Sequence, residues 1–204
     1  MKRFATTILA FGIMLAALPG ARADTTCPPN PSPLSTVKGN LVVTGVCNLI
    51  GVTVTGNVQV QTNAVLSSNA TAPASTIIGN VDVGTGATLD AEVGGLTIDG
   101  NVKANQCLSV DLRHGVIIGG NVRIQYCTGE SDVVSDDIAG NVACDNSSTC
   151  LVAANHVNGN VHVDDNSNAD VSNNTIDNNL ECRGNATLSA SGNQVGGKSQ
   201  CPGS

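Results

Sequence analysis

The chain contains almost no aromatic residues: its 204 residues include no tryptophan, one tyrosine and two phenylalanines. Both phenylalanines and both methionines lie within the first 23 residues, which leaves Tyr126 as the only aromatic residue beyond them. Globular cores normally rely on aromatic, Met and Leu side chains to fill volume, and Val, Ile, Ala, Gly and Asn take their place here. This composition favours stacked flat strands over packed helices.

Basic residues are also scarce, with 9 Lys and Arg against 16 Asp and Glu. Residues 1–23 are predicted to be a signal peptide, because Lys2 and Arg3 precede an apolar run and Ala21-Arg22-Ala23 is typical of a cleavage site. Its removal takes away three basic residues and leaves 6 basic against 16 acidic side chains, a formal charge of −10. Such a charge excludes a nucleic-acid binder that works by neutralising phosphates.

Long hydrophobic runs are missing beyond residue 23, where no apolar stretch reaches the roughly 18 residues of a membrane helix. No membrane span is therefore expected after signal cleavage. Residues 24–36 contain four prolines and are expected to form a linker or N-terminal cap ahead of one domain at 37–204. All eight cysteines follow the signal peptide, and an even number in an exported chain indicates disulfides. We expect a secreted or periplasmic protein.

A repeat of about 20 residues runs through the chain, in which Gly-Asn is followed by Val or Leu. The repeat asparagines are Asn40, Asn57, Asn80, Asn101, Asn121, Asn141, Asn160 and Asn179. Three residues before each of them stands Ile or Val, in the order Val37, Val54, Ile77, Ile98, Ile118, Ile138, Val157 and Ile176. The glycine allows a sharp corner, and the asparagine side chain can bond backbone groups there.

This pattern predicts an all-β fold, a single-stranded right-handed parallel β-helix of about nine rungs with roughly 20 residues each. Rungs stack about 4.8 Å apart. We expect columns of Ile, Val and Asn to fill a narrow interior, with the Asn column passing amide hydrogen bonds from rung to rung. The alternative, hairpin turns in an antiparallel barrel, is disfavoured by the constant Ile or Val position.

The same register predicts which cysteines pair. Cysteines one rung apart have Cα atoms about 4.8 Å from one another, inside the disulfide window of roughly 4.4–6.8 Å. Three pairs are 19 or 20 residues apart, and the remaining two cysteines could close a short local loop. The expected disulfides are Cys27–Cys47, Cys107–Cys127, Cys144–Cys150 and Cys182–Cys201. A bridge from Cys144 to Cys182 is disfavoured because the rung of Val163 intervenes, and without any Cys-x-x-Cys a metal or redox site is disfavoured as well.

One outward row is expected two residues after each repeat asparagine. It consists of Val42, Gln59, Asp82, Lys103, Arg123, Ala143, His162 and Glu181. Opposite charges neighbour one another in this row, Asp82 with Lys103 and His162 with Glu181. Surface pairs of this kind contribute little to stability.

A second row is acidic, because Asp90, Asp111 and Asp132 are separated by 21 residues in each step, with Arg113 and His114 close to the middle one. Clustered carboxylates beside basic groups can serve the general acid–base cleavage of sugars. These five residues are the candidate catalytic residues of a polysaccharide lyase or hydrolase. The same column could bind Ca²⁺ or stay solvated, and no other cofactor is expected. Without aromatic platforms for sugars or long loops to wall a cleft, the sequence favours a non-catalytic role.

Over residues 37–201 the repeats resemble the right-handed parallel β-helix superfamily, and within it small secreted bacterial β-helix proteins of unassigned function. The likeness is greatest in Asn-Asn-Leu-Glu-Cys at 178–182, Gly-Asn-Gln-Val at 192–195 and the final Gln-Cys at 200–201. A solenoid also offers a long, regular surface for binding. We expect an exported, disulfide-stabilised solenoid with a structural, adhesive or binding role at the cell envelope or outside the cell. Its expected partners are polysaccharide or envelope components.

Overall fold

The computed structural model describes residues 24–68, 73–92 and 95–203, so the predicted signal peptide at 1–23 lies outside the described residues. Within these ranges the chain forms 27 β-strands and no helix. The strands belong to three parallel sheets, and each turn of the chain contributes one short strand to each sheet. The described residues accordingly contain no helix that is long and apolar enough to cross a membrane.

The three sheets have ten, eight and nine strands. The ten-stranded sheet contains Thr25–Cys27, Leu41–Val43, Val58–Val60, Val81–Val83, Val102–Asn105, Val122–Gln125, Val142–Asp145, Val161–Asp164, Leu180–Arg183 and Ser199–Gln200. The eight-stranded sheet contains Val46–Asn48, Val65–Ser67, Thr88–Ala91, Ser109–Arg113, Ser131–Val134, Thr149–Ala153, Asn168–Ser172 and Leu188–Ser191. The nine-stranded sheet contains Thr36–Val37, Thr53–Val54, Ser75–Ile77, Leu96–Ile98, Ile117–Ile118, Asp137–Ile138, His156–Val157, Thr175–Ile176 and Gln194–Val195.

These sheets form a parallel β-solenoid of about nine turns, as the repeat predicts, and the hairpin alternative is wrong because the strand pairs are parallel. The predicted Ile and Val column lies in the nine-stranded sheet and is buried throughout. The Val or Leu that follows each repeat asparagine is buried in the ten-stranded sheet. Side chains alternate between the interior and the solvent along most strands, so apolar columns from all three sheets meet in one narrow core.

The proline-rich segment ahead of residue 37 contributes a strand to the solenoid. Thr25–Cys27 pairs in parallel with Leu41–Val43, and Asn40 donates a hydrogen bond from Nδ2 to Asp24 Oδ1 at 3.0 Å. The segment therefore packs on the first complete turn, where an N-terminal cap would lie.

The repeat glycines are required by close packing of one corner on the next. A Cβ atom at Gly120 would lie 2.6 Å from Asn101 Oδ1 and 2.7 Å from the carbonyl oxygen of Gly100. Among the repeat glycines, all of which are described, only Gly39 has a positive φ, at 98°. The corner thus selects glycine mainly because any side chain would collide with the rung below.

The repeat asparagines form a continuous hydrogen-bonded column, which we call the outer ladder. Asn141 donates from its backbone N and from Nδ2 to Asn121 Oδ1, both at 2.8 Å, and the same bonds recur on neighbouring rungs. The ladder ends at Lys198, whose backbone N donates to Asn179 Oδ1 at 2.9 Å. Its position differs from the prediction, because these asparagines are exposed or half-buried at a corner and do not fill the interior.

Two further asparagine ladders lie inside the C-terminal half of the solenoid. The first inner ladder runs through Asp136, Asn155, Asn174 and Asn193, and the second through Ser147, Asn166 and Asn185. In both, the Nδ2 of each asparagine also donates to a backbone carbonyl, as Asn174 does to Val152 at 2.8 Å. Their 19-residue spacing is visible in the sequence, but glycine precedes only Asn185 and Asn193, so the Gly-Asn motif does not mark Asn155, Asn166 and Asn174.

Four disulfides hold the solenoid, and they are the same four pairs that the sequence predicts. Cys107 and Cys127 lie on adjacent rungs with Cα atoms 4.5 Å apart. The Cys27–Cys47 bridge has a different origin from the expected one, because Cys27 is in register with Val43 and the bond joins the ten-stranded sheet to the eight-stranded sheet. Disulfides of this number are typical of an oxidising compartment outside the cytoplasm.

Candidate functional site

The predicted acidic row forms a column on the outer face of the eight-stranded sheet. Asp90, Asp111 and Asp132 are in direct register on three adjacent strands. They point outward because the residues on either side of Asp111, Val110 and Leu112, are buried in the core. The stack has three members: Ser67 precedes it in the same register, and Leu151 follows it.

Arg113 binds two carboxylates of this column at once. Its Nε lies 2.6 Å from Asp111 Oδ1, its second terminal nitrogen contacts Asp132, and Glu130 Oε2 lies 4.0 Å away. The cation thus offsets the repulsion between like charges one rung apart. His114 is exposed at the following corner with a φ of 63°, and it joins none of the ion pairs among the described residues.

Burial changes the acid–base properties of the acidic column. It raises the pKa of Asp111 to about 6, although Arg113 lowers that pKa, and the carboxylates of Asp132, Glu92 and Asp90 raise it further. Burial also raises the pKa of Asp132 above its ordinary value, outweighing the hydrogen bond from Arg113. A carboxyl group with a pKa near 6 can exchange a proton close to neutral pH. In this structure, however, both groups are held by Arg113.

Glu92 joins the column at its N-terminal end, and the sequence analysis did not identify it. Asp90, Glu92 and Asp111 each place one carboxylate oxygen within 4.8 Å of the others. Residues two apart on a strand lie on the same face, so the spacing of Asp90 and Glu92 could have predicted that their side chains are neighbours. Three oxygens are fewer than the six to eight that Ca²⁺ takes, and the carboxylate of Asp111 is shared with Arg113.

The second outward row lies on the ten-stranded sheet, in the register that the repeat predicts. Lys103 lies directly between Asp82 and Arg123 on the adjacent strands. His162 pairs with Glu181, with Nδ1 and Oε2 3.0 Å apart. Asp82 and Lys103, the other predicted pair, form no ion pair within 4.0 Å although both lie in the described part of the chain.

Four shallow depressions with volumes of about 540, 410, 330 and 430 Å³ follow one another along this face. Neighbouring depressions share lining residues: Asp82 and Lys103 belong to the first two, Arg123 to the next two and His162 to the last two. We call this continuous surface the polar trough. Ala143 lies between Arg123 and His162 on the adjacent strands and has the smallest side chain of this outward row.

The C-terminal half of the polar trough carries a network of paired polar groups. Gln125 Nε2 donates to Asp145 Oδ2 at 3.0 Å, and burial raises the pKa of Asp145 despite this bond. Arg183 contacts Glu181 and donates to Gln200 Oε1 at 3.0 Å. Both hydrogen-bond donors and acceptors line this half of the trough, a combination suited to a hydroxyl-rich ligand.

Comparison with models of protein families, with curated protein sequences and with solved structures found no match for this chain. The two outward faces of the solenoid are therefore the features that bear on its function.

Proposed function

We propose that the chain is exported, loses residues 1–23, and acts at the cell envelope or outside the cell as a rigid, non-catalytic solenoid that binds polysaccharide. The proposal places it with the small secreted bacterial β-helix proteins of unassigned function that its repeats resemble. The polar trough is the observation on which the proposal rests. Its side chains are fixed on a sheet braced by disulfides, so little conformational entropy is lost when an extended polymer binds.

The chemistry of the trough supports a carbohydrate ligand. Amide groups from Gln59 and Asn105, hydroxyl groups from Thr62 and Thr85, and the carboxylate of Asp82 line its N-terminal depression. These groups donate to and accept from sugar hydroxyls. The trough lining contains no aromatic residue among the described positions, so a sugar would be held by these hydrogen-bonding groups and not by ring stacking.

Blocking the centre of the trough should weaken binding. In Ala143→Trp a large ring stands between Arg123 and His162, and we expect affinity for a bound polymer to fall at least about tenfold. The measurement is co-sedimentation of the mature protein with peptidoglycan, insoluble glucan, polygalacturonate gel and alginate gel. Ala139→Trp is the matched control, because Ala139 is exposed next to the strand Asp137–Ile138 of the nine-stranded sheet. Equal losses in both variants, or no polymer bound by the parent protein, would refute the proposal.

A carbohydrate-active enzyme is the second candidate, favoured by the pKa of about 6 at Asp111 and by its position one rung from Asp132. Adjacent rungs hold carboxyl groups roughly 5 Å apart, close to the separation in retaining glycosidases. Because Arg113 binds both carboxyl groups, we expect the mature protein to release no reducing ends or unsaturated products from pectin or alginate. Cleavage that Asp111→Asn lowers by about a hundredfold would establish the enzyme instead.

A further inference from the structure

Two cations stand side by side in the polar trough. Lys103 and Arg123 are directly opposite each other on adjacent strands of the ten-stranded sheet, and both are exposed. Like charges in this cross-strand position destabilise a parallel or antiparallel pair of strands. The cleaved chain has only six basic side chains, and two of them are adjacent at a cost in stability. Such an arrangement is typical of a binding site.

Carboxylates lie near this pair, Asp82 beside Lys103 on the adjacent strand and Asp145 close enough to Arg123 to feel its charge, but none of them binds either cation directly. Neither Lys103 nor Arg123 forms an ion pair within 4.0 Å with any described residue. The other two arginines in the described part of the chain do, Arg113 with Asp111 and Asp132 and Arg183 with Glu181. The two unpaired cations therefore remain available to a ligand from outside the chain.

Amide donors surround the same pair. The depression of about 410 Å³ is lined by Lys103, Arg123 and the outer-ladder residues Asn80, Asn101 and Asn121, with Asp82 at one end. Asn101 and Asn121 each use one Nδ2 hydrogen for the ladder, at 2.9 Å, which leaves the second hydrogen of each amide group. Two cations and spare amide donors together form a surface complementary to an oxyanion.

We propose that Lys103 and Arg123 form an anion subsite in the polar trough, which binds the acidic group of an anionic polysaccharide. The inference rests on the proposed function and specifies its ligand class. Asp82 accepts hydrogen bonds from hydroxyl groups beside the acidic group, so that an acidic sugar fits better than a bare anion. A single-stranded nucleic acid fits less well, because no aromatic side chain lines the trough among the described residues and its bases would have nothing to stack on.

Binding of matched polymers tests the subsite. The probes are polygalacturonate, its methyl ester, dextran sulfate, a phosphate-bearing teichoic acid and single-stranded DNA, measured against the mature disulfide-bonded protein by isothermal titration. We expect an anionic polysaccharide to bind more tightly than the neutral ester, with affinity falling as ionic strength rises. Comparison of the carboxylate, sulfate and phosphate polymers identifies the acidic group.

Charge-removing variants locate the subsite. Lys103→Gln and Arg123→Gln should each weaken anionic polymer binding about tenfold, whereas Lys38→Gln, which removes an exposed cation outside the trough, should stay within about twofold. Thermal unfolding of each variant verifies that the exposed substitutions leave the fold intact. Unchanged binding in the trough variants, preferential binding of DNA, or equal binding of the neutral ester overturns the subsite while sparing the proposed function. A protein that binds no polysaccharide at all overturns both.

Discussion

Replacing Asn174 by alanine is expected to lower the free energy of unfolding by about 3–6 kcal/mol. Asn174 Oδ1 accepts from the backbone N of Asn155 at 3.0 Å and from its Nδ2 at 3.1 Å, and Asn174 Nδ2 donates to the carbonyl of Val152. Asn155 and Asn174 are almost fully buried, so water cannot replace these bonds. Each buried polar group left without a partner costs about 1–3 kcal/mol. The substitution leaves three such groups, namely the backbone N and Nδ2 of Asn155 and the carbonyl of Val152.

Asn141→Ala is the matched control, because Asn141 makes the same type of bonds in the outer ladder. Its Oδ1 accepts from the backbone N and from Nδ2 of Asn160, at 2.8 and 2.9 Å. Since this corner is exposed, water can satisfy the released groups, and we expect a loss of only about 1 kcal/mol. Urea unfolding under non-reducing conditions measures both variants. Similar losses at the two positions would contradict an energetic difference between the inner and outer ladders.

Asp136→Asn is expected to stabilise the protein at alkaline pH and to remove a large part of its pH dependence. Asp136 stands at the N-terminal end of the first inner ladder, where its Oδ1 accepts from the backbone N of Val116 at 2.9 Å and of Gly115 at 3.2 Å. Its Oδ2 is buried without a hydrogen-bond partner among the described residues. Burial raises the pKa of this carboxyl from 3.8 to about 7, against the lowering effect of the backbone N–H groups.

The ladder explains why a proton belongs on Asp136. In each following rung the corresponding atom is an asparagine Nδ2 that donates to a backbone carbonyl, as Asn155 does to Val133. Leu112 is in register with Val133 on the preceding rung, so its carbonyl is the equivalent acceptor for residue 136. A protonated Oδ2 can donate a hydrogen bond to this carbonyl. An ionised Oδ2 has no proton to donate, so two acceptor oxygens would face and repel each other. Asparagine supplies the same donor at every pH.

The sign of the pH effect follows from proton linkage. Between pH 4 and pH 7 the folded protein keeps a proton on Asp136 that the unfolded chain has released. The contribution of Asp136 is therefore fully present below pH 4 and is lost as the pH rises through 7, by about 4 kcal/mol. Asp136→Asn should match the parent protein at pH 4 and exceed its stability by up to about 4 kcal/mol at pH 8.

Asp137→Asn serves as the control for Asp136→Asn, because the neighbouring carboxylate is exposed and its removal changes the formal charge equally. We expect it to alter the free energy of unfolding by less than about 0.5 kcal/mol at either pH. The difference between variant and parent is the decisive quantity, because Asp111, Asp132 and Asp145 titrate in both proteins. If the free energy of unfolding changed with pH equally in Asp136→Asn and the parent, Asp136 would not be protonated in the folded protein at neutral pH.

The repeat residues show how much of the fold a sequence can predict. A constant Ile or Val before each Gly-Asn implies a fixed register. That register places the buried Ile and Val columns and the acidic column correctly, and it stacks the repeat asparagines on adjacent rungs. It also predicts all four disulfide pairs, although Cys27 and Cys47 join two different sheets. These features are local or repeat at one rung, so sequence spacing translates directly into neighbours in space.

The burial of the corner asparagines could not be predicted, because it depends on whether a corner directs its side chain into the core or into solvent. The asparagines of the outer ladder were expected in the interior, and the packing of Gly120 on Gly100 puts them at an exposed corner instead. Asn155 and Asn174 carry no motif that distinguishes a buried asparagine from a turn residue. Their burial follows from the course of the chain between the eight-stranded and nine-stranded sheets. Arg113 likewise reaches Asp132 on the next rung, a contact that depends on its side-chain conformation.

The sequence by itself determined the β-solenoid, its period and its disulfide pairing, because these depend on how residue types are spaced along the chain. Only the tertiary structure decided which asparagines are buried, that Arg113 holds the acidic column together, and that Lys103 and Arg123 stand unpaired in a continuous trough. The reason is that periodicity specifies which residues are stacked on one another. Burial depends on how the three sheets pack together, and charge pairing depends on the conformations of long side chains.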